Sequence, residues 1–101
     1  MSGTAKWSGY DFTVYGPSTT WNAVGGVYIF AGLKDGDWQP FYIGQAINLR
    51  DCLPSHERWE QARKLGATHI HAMVVPLAVN RDTIEKGLIG AFQPPLNTRS
   101  K

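Results

Sequence analysis

The fold of this chain is decided by the stretch Gly25-Gly26-Val27-Tyr28-Ile29-Phe30 together with Phe41-Tyr42-Ile43-Gly44, which follows after a short polar break. Both runs are rich in β-branched and aromatic residues, which favour strands. The break between them, Lys34-Asp35-Gly36-Asp37, contains the Asp-Gly pair that is typical of tight hairpin turns. The pattern therefore predicts a β-hairpin, with a polar, helix-like segment departing from Gly44.

The remaining segments predict a small α+β domain. Tyr10–Tyr15 alternates like a strand and would form either an edge strand or a cover over the hairpin, after a frayed start over residues 1–9. Residues 68–75 form the clearest further strand. The sum is a three-stranded antiparallel sheet flanked by helices, with or without the extra N-terminal strand. The predicted helices are 45–53, a second one capped by Ser55 and stopped at Gly66, and 81–92 capped by Asn80.

Composition sets the class of protein. The chain has 101 residues, 43% of them hydrophobic and 18% charged, as expected of one globular domain rather than a disordered segment. A net charge of +2 permits nucleic-acid binding, although dedicated binders carry a denser basic stripe. The sequence shows neither a membrane-spanning run nor a signal-peptide core. A single cysteine cannot form an internal disulfide, so we expect a reducing, cytoplasmic location.

The two hairpin runs resemble the signatures of the GIY-YIG nuclease family. Gly26-Val27-Tyr28 and Tyr42-Ile43-Gly44 match the paired motifs, and the resemblance extends over residues 25–97. His56, Glu85 and Asn97 follow in the order of the family's later landmarks. On this resemblance, residues 1–24 are an N-terminal extension, 25–97 the family domain and 98–101 a short tail.

The resemblance implies a catalytic role for each matched residue. Tyr28 would be the general base or the group that positions the attacking water, while Tyr42 and His56 would bond the phosphate or the water and relay a proton. Asn97 would fix the phosphate or the site geometry. Glu85 would hold one divalent cation, and an oxygen-only site of this kind suits Mg²⁺ or Mn²⁺.

If Tyr28 and Tyr42 belong to one site, the hairpin must bring both side chains to the same face of the sheet. If Asp35 and Gly36 form a tight two-residue turn, Tyr28 lies opposite Ile43, and the phenols of Tyr28 and Tyr42 then point to opposite faces of the sheet. The resemblance requires both phenols on one face. We therefore predict an odd-length loop or a β-bulge between them, with Pro40 as its location because proline cannot donate to the ladder.

One landmark of the family is missing, because Cys52 occupies the position that should hold an arginine. Three interpretations are open. The domain has lost hydrolysis and kept only affinity for nucleic acid or protein, or a nearby cation substitutes, or Cys52 is an altered residue in an active lineage. Arg50, Arg58 and Arg63 are the candidate cations and the predicted substrate-binding residues. A catalytic thiol is not favoured, because no base-and-orienter pair accompanies Cys52.

Each matched residue also has an ordinary interpretation. Tyr28 and Tyr42 could be strand aromatics, His56 a solvated residue at a helix start, Glu85 a helix-surface charge, and Asn97 a turn residue. Their joint order and spacing favour the functional interpretation.

Two further groups of residues favour structure over binding. His69 and His71 share a strand face but lack further metal ligands, so we expect a pair on the sheet surface. The four tryptophans are expected to bury area, with only Trp38, near the turn, available for contact.

The sequence therefore predicts a metal-dependent endonuclease domain that hydrolyses nucleic-acid phosphodiester bonds, weakened by the loss of the arginine. The alternative is a catalytically inactive module that binds nucleic acid or protein on the same fold. DNA is favoured over RNA as the substrate. So small a domain has little surface for reading bases, and specificity would come from a partner protein or a dimer.

Overall fold

The computed structural model describes residues 3–98 of the 101. Residues 1 and 2, and all of the predicted tail after residue 98, lie outside the described residues. Among residues 3–98, no helix combines the length and the apolar character needed to cross a bilayer. The strands are β1 (Thr4–Trp7), β2 (Tyr10–Tyr15), β3 (Gly26–Lys34), β4 (Asp37–Ala46) and β5 (His69–Val74), and the helices are α1 (Leu49–Cys52), α2 (Glu57–Leu65), α3 (Ala78–Phe92) and α4 (Pro95–Thr98).

The sheet has five strands in the order β1-β2-β5-β3-β4, and every neighbouring pair is antiparallel. The α+β class is confirmed, but the prediction of three strands is wrong. β1 and β2 form an N-terminal hairpin, turning at Ser8 (φ 52°) and Gly9 (φ 86°), and β2 pairs with β5. Trp7 is only 4% exposed and anchors β1 in the core, which is why residues 4–7 are not frayed.

The β3–β4 hairpin contains the predicted irregularity. Asp35 (φ 53°) and Gly36 (φ 86°) form the tight turn, and the register runs regularly from Lys34↔Asp37 to Ala31↔Pro40. The register then shifts, because Phe30 pairs with Tyr42 and Phe41 is the extra residue. This β-bulge next to Pro40 is confirmed. Tyr28 pairs with Gly44, two residues from Tyr42, so both tyrosines lie on one face of the sheet.

The two faces of the sheet carry separate cores. We call them the Tyr28 face and the Ile29 face, after adjacent residues of β3. On the Tyr28 face, Phe30, Leu49 and Leu53 pack under α1 and α2. On the Ile29 face, the sheet packs against Leu88 of α3. The main buried side chains of the Ile29 face are Trp7, Phe12, Val27, Ile29 and Ile43.

The helix boundaries differ from the predictions at their N-terminal ends. β4 continues to Ala46, so α1 begins only at Leu49, and Asn48 caps it through a bond from Asp51 N. His56 rather than Ser55 caps α2, which does stop at Gly66 as predicted. α3 starts at Ala78, ahead of the expected Asn80 cap.

A buried arginine explains the early start of α3. Arg81 is 5% exposed, and its Nη1 donates to the carbonyls of Val75 and Pro76. These bonds hold the first turn of α3 against the end of β5.

Candidate active site

Tyr28 lies at the centre of the site, and Gly44 makes its position possible. The side chain of Tyr28 is 2% exposed and crosses its strand partner Gly44. A Cβ at position 44 would stand 2.5 Å from the Tyr28 hydroxyl oxygen, which is closer than real contacts allow. The missing side chain of Gly44 therefore gives the phenol its path across β4, the edge strand of the sheet.

His56 is held by the start of α2 and meets the phenol of Tyr28. The main-chain N–H of Arg58 donates to His56 Nδ1 at 3.0 Å, and His56 Nε2 lies 2.7 Å from the Tyr28 hydroxyl. Since Nδ1 accepts, a neutral imidazole carries its proton on Nε2 and donates it to the phenol oxygen. The hydroxyl proton of Tyr28 is then free to point away from His56. The helix cap thus sets the direction of the hydrogen bond between His56 and Tyr28.

Tyr42 completes a cluster of three rings. The ring centroids are separated by 6.3 Å between Tyr28 and Tyr42, 5.4 Å between Tyr28 and His56, and 5.4 Å between Tyr42 and His56. Phe30 packs edge-on against His56 at 5.2 Å and closes the inner side. Three of the predicted site residues therefore come together in one cluster of rings.

The rings of this cluster are neutral near pH 7. Burial raises the pKa of Tyr28 well above its ordinary value, and the nearby Cys52 and Tyr42 add to the effect. Burial also raises the pKa of Tyr42, although the Arg58 guanidinium opposes it. Burial lowers the pKa of His56 below its ordinary value of 6.5. The structure favours hydrogen-bond donors and acceptors here over fixed ions.

Glu85 lies on the half-buried side of α3 and reaches the edge of the sheet. Its Oε1 accepts from Gln45 Nε2 at 2.9 Å, and the same amide nitrogen donates to Asp82 Oδ1 at 2.5 Å. The charge of Glu85 helps to raise the pKa of both Tyr28 and Tyr42, so the carboxylate is within electrostatic reach of the phenols. Neither Gln45 nor Asp82 was predicted, because no sequence signal links residues this far apart.

Asn97 is bound to the main chain of β4. Ile43 N donates to Asn97 Oδ1 at 2.7 Å, and Asn97 Nδ2 donates to Ile43 O at 2.9 Å. The amide thus fastens α4 to the strand residue between Tyr42 and Gly44. Of its two predicted roles, the geometry corresponds to holding the site together rather than to bonding the phosphate.

Cys52 and the three predicted arginines occupy different environments. Cys52 Sγ lies 3.8 Å from the Tyr28 hydroxyl and is half-buried. Arg50 is exposed, 3.8 Å from Asp51, and Arg63 is exposed and paired with Glu60 at 2.8 Å. Arg58 is half-buried, donates to Gln61, and is the arginine whose charge acts on both Tyr42 and His56.

Two predictions about the other histidines and tryptophans are wrong. His71 is fully buried rather than on the sheet surface, and Trp7 Nε1 donates to its Nδ1 at 2.9 Å. Trp38 packs edge-on against His69 and His71, so it is half-buried rather than free for contact. Within the part of the chain that the structure describes, no group of three or more His, Cys, Asp and Glu side chains could hold a metal.

The antiparallel sheet, with two tyrosines and a histidine meeting on one face, matches the nuclease-like GIY-YIG fold. The structures that match are crystal structures of the GIY-YIG N-terminal endonuclease domain of UvrC from Thermotoga maritima. Its magnesium-bound form is 28% identical over 77% of this chain and 88% of that one, with a TM-score of 0.62. A tyrosine-to-phenylalanine mutant bound to its catalytic divalent cation is 28% identical over 78% and 88%, also with a TM-score of 0.62.

These neighbours confirm the resemblance to the GIY-YIG family that the two hairpin signatures indicated. An asparagine-to-alanine mutant of the same UvrC domain, also bound to its divalent cation, matches with 27% identity and a TM-score of 0.62. Neither a family model nor a curated protein matches the chain.

Proposed function

We propose that this domain is a metal-dependent endonuclease that hydrolyses phosphodiester bonds of DNA, with an activity weakened at Cys52. The observation that carries the proposal is the 2.7 Å contact between Tyr28 and His56, within electrostatic reach of Glu85. The endonuclease domains that share the fold, whose structures contain a catalytic divalent cation, support it.

The donors around Glu85 fit a hard divalent cation. Glu85 and Asp82 present carboxylate oxygens one helical turn apart, held by the amide of Gln45. No further His, Cys, Asp or Glu joins them among the described residues, which leaves room for the water and phosphate ligands that Mg²⁺ retains. Glu85 would hold the ion, which would supply positive charge to the phosphoryl oxygens. Mn²⁺ has the same preference for oxygen ligands.

The remaining roles in the proposed reaction fall to Tyr28, His56 and Tyr42. Because the pKa of Tyr28 is raised, its phenol stays protonated near pH 7 and orients a water through its hydroxyl proton. His56 donates Nε2–H to the phenol oxygen and stabilises any negative charge that develops there. Tyr42 adds a second hydroxyl on the same side of the sheet. Of the two roles that the resemblance offered for Tyr28, the geometry supports water positioning better than general base.

Arg58 is the best substitute for the missing arginine. It follows His56 closely along the chain, and its guanidinium acts electrostatically on Tyr42 and His56. Arg50 and Arg63 are exposed and would contact flanking phosphates, which are bound mainly through salt-sensitive contacts. A partner protein or a second copy of the chain would supply sequence specificity.

A second candidate function is an inactive module that binds nucleic acid or protein. Cys52 favours it, because a cysteine side chain lies 3.8 Å from the Tyr28 hydroxyl, at the position where the resemblance implies an arginine. Removing one preorganised donor from such a site lowers a rate by roughly 100- to 1000-fold.

Cleavage assays separate the two functions. Plasmid and short DNA or RNA are incubated with Mg²⁺ or Mn²⁺ and the native chain, Cys52→Arg, Glu85→Ala or the exposed-carboxylate control Glu60→Ala. We expect slow cleavage by the native chain and Glu60→Ala, faster cleavage by Cys52→Arg, and none by Glu85→Ala or with a chelator. Activity only in Cys52→Arg identifies a decayed enzyme. Saturable, salt-dependent DNA binding with no cleavage by any variant supports the binding module and overturns the endonuclease.

A further inference from the structure

A groove of about 230 Å³ lies on the Tyr28 face, beside the ring cluster and outside it. Its floor includes Thr13 of β2 and Ala72 of β5. One wall comes from the segment between β2 and β3, where Trp21 packs against Tyr15 with ring centroids 4.8 Å apart. Asp11, Thr20, Asn22 and Leu49 also line the groove.

The groove is connected to the Tyr28–His56 pocket through the sheet. Ala72 pairs with Tyr28 on one side and with Thr13 on the other. Neighbouring strands are about 4.8 Å apart, so the backbone at Thr13 lies roughly 10 Å from that at Tyr28. A bond from Leu49 N to Val24 O, at 2.8 Å, also ties the groove wall to α1, which carries Cys52.

The chemistry of the lining suits a base better than a phosphate. No lysine or arginine lines the groove among the described residues, and Asp11 contributes a carboxylate whose Oδ1 accepts from the exposed Lys6 Nζ at 2.6 Å, so a ligand would use Oδ2. Thr13, Thr20 and Asn22 contribute hydroxyl and amide groups whose side chains have no partner within residues 3–98. Aromatic and aliphatic side chains supply flat apolar walls. Few polar groups converging on apolar walls are typical of small-ligand sites.

We propose that this groove binds one nucleobase with an exocyclic amino group, from a nucleotide adjacent to the phosphate in the Tyr28–His56 pocket. The Asp11 carboxylate accepts from the amino group, and Asn22 and Thr13 bond the remaining edge of the base. The inference rests on the proposed function in taking the ligand to be part of a nucleic acid. It assigns the readout of one base to the N-terminal hairpin and the segment that follows it, in addition to the specificity that a partner or a second copy would supply.

Nucleosides test the groove without the phosphate site. Cytidine, adenosine and thymidine are titrated into the ¹⁵N-labelled chain, and amide shifts are followed by NMR. We expect cytidine and adenosine to shift the amides of Thr13, Asn22 and Ala72, with thymidine at least about fivefold weaker because it lacks the amino donor. Asp11→Ala, which has no acceptor, should remove this preference. Equal shifts with thymidine, or shifts confined to Tyr42 and His56, would overturn the proposal.

A second measurement uses short single-stranded DNA in the Glu85→Ala background, with each base replaced in turn by an abasic site. Replacing the base at one position should lower the affinity of the Glu85→Ala parent for the DNA about tenfold, which is typical of losing one bound base. Asn22→Ala should lose the same affinity and become insensitive to that position, while the matched control Asn80→Ala, on α3, behaves like the parent. If the abasic site lowers the affinity of Asn22→Ala as much as that of the parent, the groove does not bind the base, even if the native chain cleaves DNA. Where no DNA binds at all, the proposed function fails, and the nucleoside titration still decides the groove.

Discussion

His56 and His71 lie on opposite faces of one sheet, and their surroundings give the same side chain different roles. Each has a hydrogen bond to an aromatic side chain, His56 to Tyr28 and His71 to Trp7. Burial lowers the pKa of both. They differ in what covers them, because His71 is fully buried between Trp7 and Trp38, whereas His56 is half exposed.

The difference lies in the second ring nitrogen. His56 uses both nitrogens, one to cap α2 and one to direct the phenol. His71 Nε2 has no partner among residues 3–98, and the Trp38 ring is edge-on at 4.4 Å. A buried polar atom left in this state reduces stability. We infer that His71 serves packing on the Ile29 face, while His56 is available for chemistry on the Tyr28 face.

The largest expected effect concerns His56. In His56→Asn, asparagine can still cap α2 but is too short to reach the Tyr28 hydroxyl, so the cleavage rate should fall by roughly 100-fold or more. The free energy of unfolding in urea should change by less than about 1 kcal/mol. His71→Asn should show the reverse, with lower stability and an unchanged rate per folded molecule. The proposed difference between the two histidines is wrong if His56→Asn cleaves DNA at the native rate, or if both variants lose stability and activity alike.

The next effect is the acid sensitivity contributed by His71. Its pKa is about 4 in the fold, against an ordinary value of 6.5, so the unfolded chain takes up a proton first as the pH falls. Stability is complete above pH 6.5 and decreases until about pH 4, by at most about 3 kcal/mol. His71→Gln keeps an acceptor for Trp7 and should flatten this part of the pH profile in urea unfolding. If the free energy of unfolding depends on pH as strongly in that variant as in the native chain, the acid sensitivity comes from His56 instead. The pKa of His56 is shifted in the same direction.

The smallest effect separates holding the site from performing chemistry. Asn97→Ala removes both bonds to Ile43 and should lower the free energy of unfolding by about 2 kcal/mol, with faster hydrogen exchange at the Ile43 amide. Asn97→Asp keeps the acceptor for Ile43 N but places a second carboxylate oxygen against Ile43 O, so it should lose at least as much. The surface control Asn80→Ala should lose almost nothing. Full stability in Asn97→Ala, combined with a loss of cleavage, would instead point to a direct contact with the phosphate.

The sequence predicted the hairpin and its turn because these depend on local chemistry, whereas the bulge was predicted from the family resemblance and only its location from Pro40. Asp35-Gly36 favours a turn with positive φ at both positions, and Pro40 interrupts a ladder wherever it stands. Counting residues from a tight turn placed Tyr28 and Tyr42 on opposite faces, and their shared face was predicted only because the family resemblance requires it. The roles of the site residues stay predictions, although the structure brings Tyr28, Tyr42 and His56 together.

Features that depend on distant partners were not predictable in this way. The burial of His71 depends on Trp7, and the position of Glu85 on Gln45, pairs that no local pattern connects. The N-terminal hairpin was missed for a different reason. Ser8-Gly9 was a readable turn signal, but the residues before it are small and polar, and only the burial of Trp7 makes them a strand.

The extra residue at Phe41 has a consequence for how this domain can evolve. Phe41 makes the bulge possible, and the bulge is what pairs Phe30 with Tyr42. With the same residues and no bulge, the regular register from the turn would pair Tyr42 with Ile29 and turn its side chain to the far face. The loss of one codon from the outer arm of β4 would remove the bulge but leave Tyr42 paired with Phe30. A deletion here therefore preserves the shared face, whereas flattening the bulge at constant length would separate the two tyrosines.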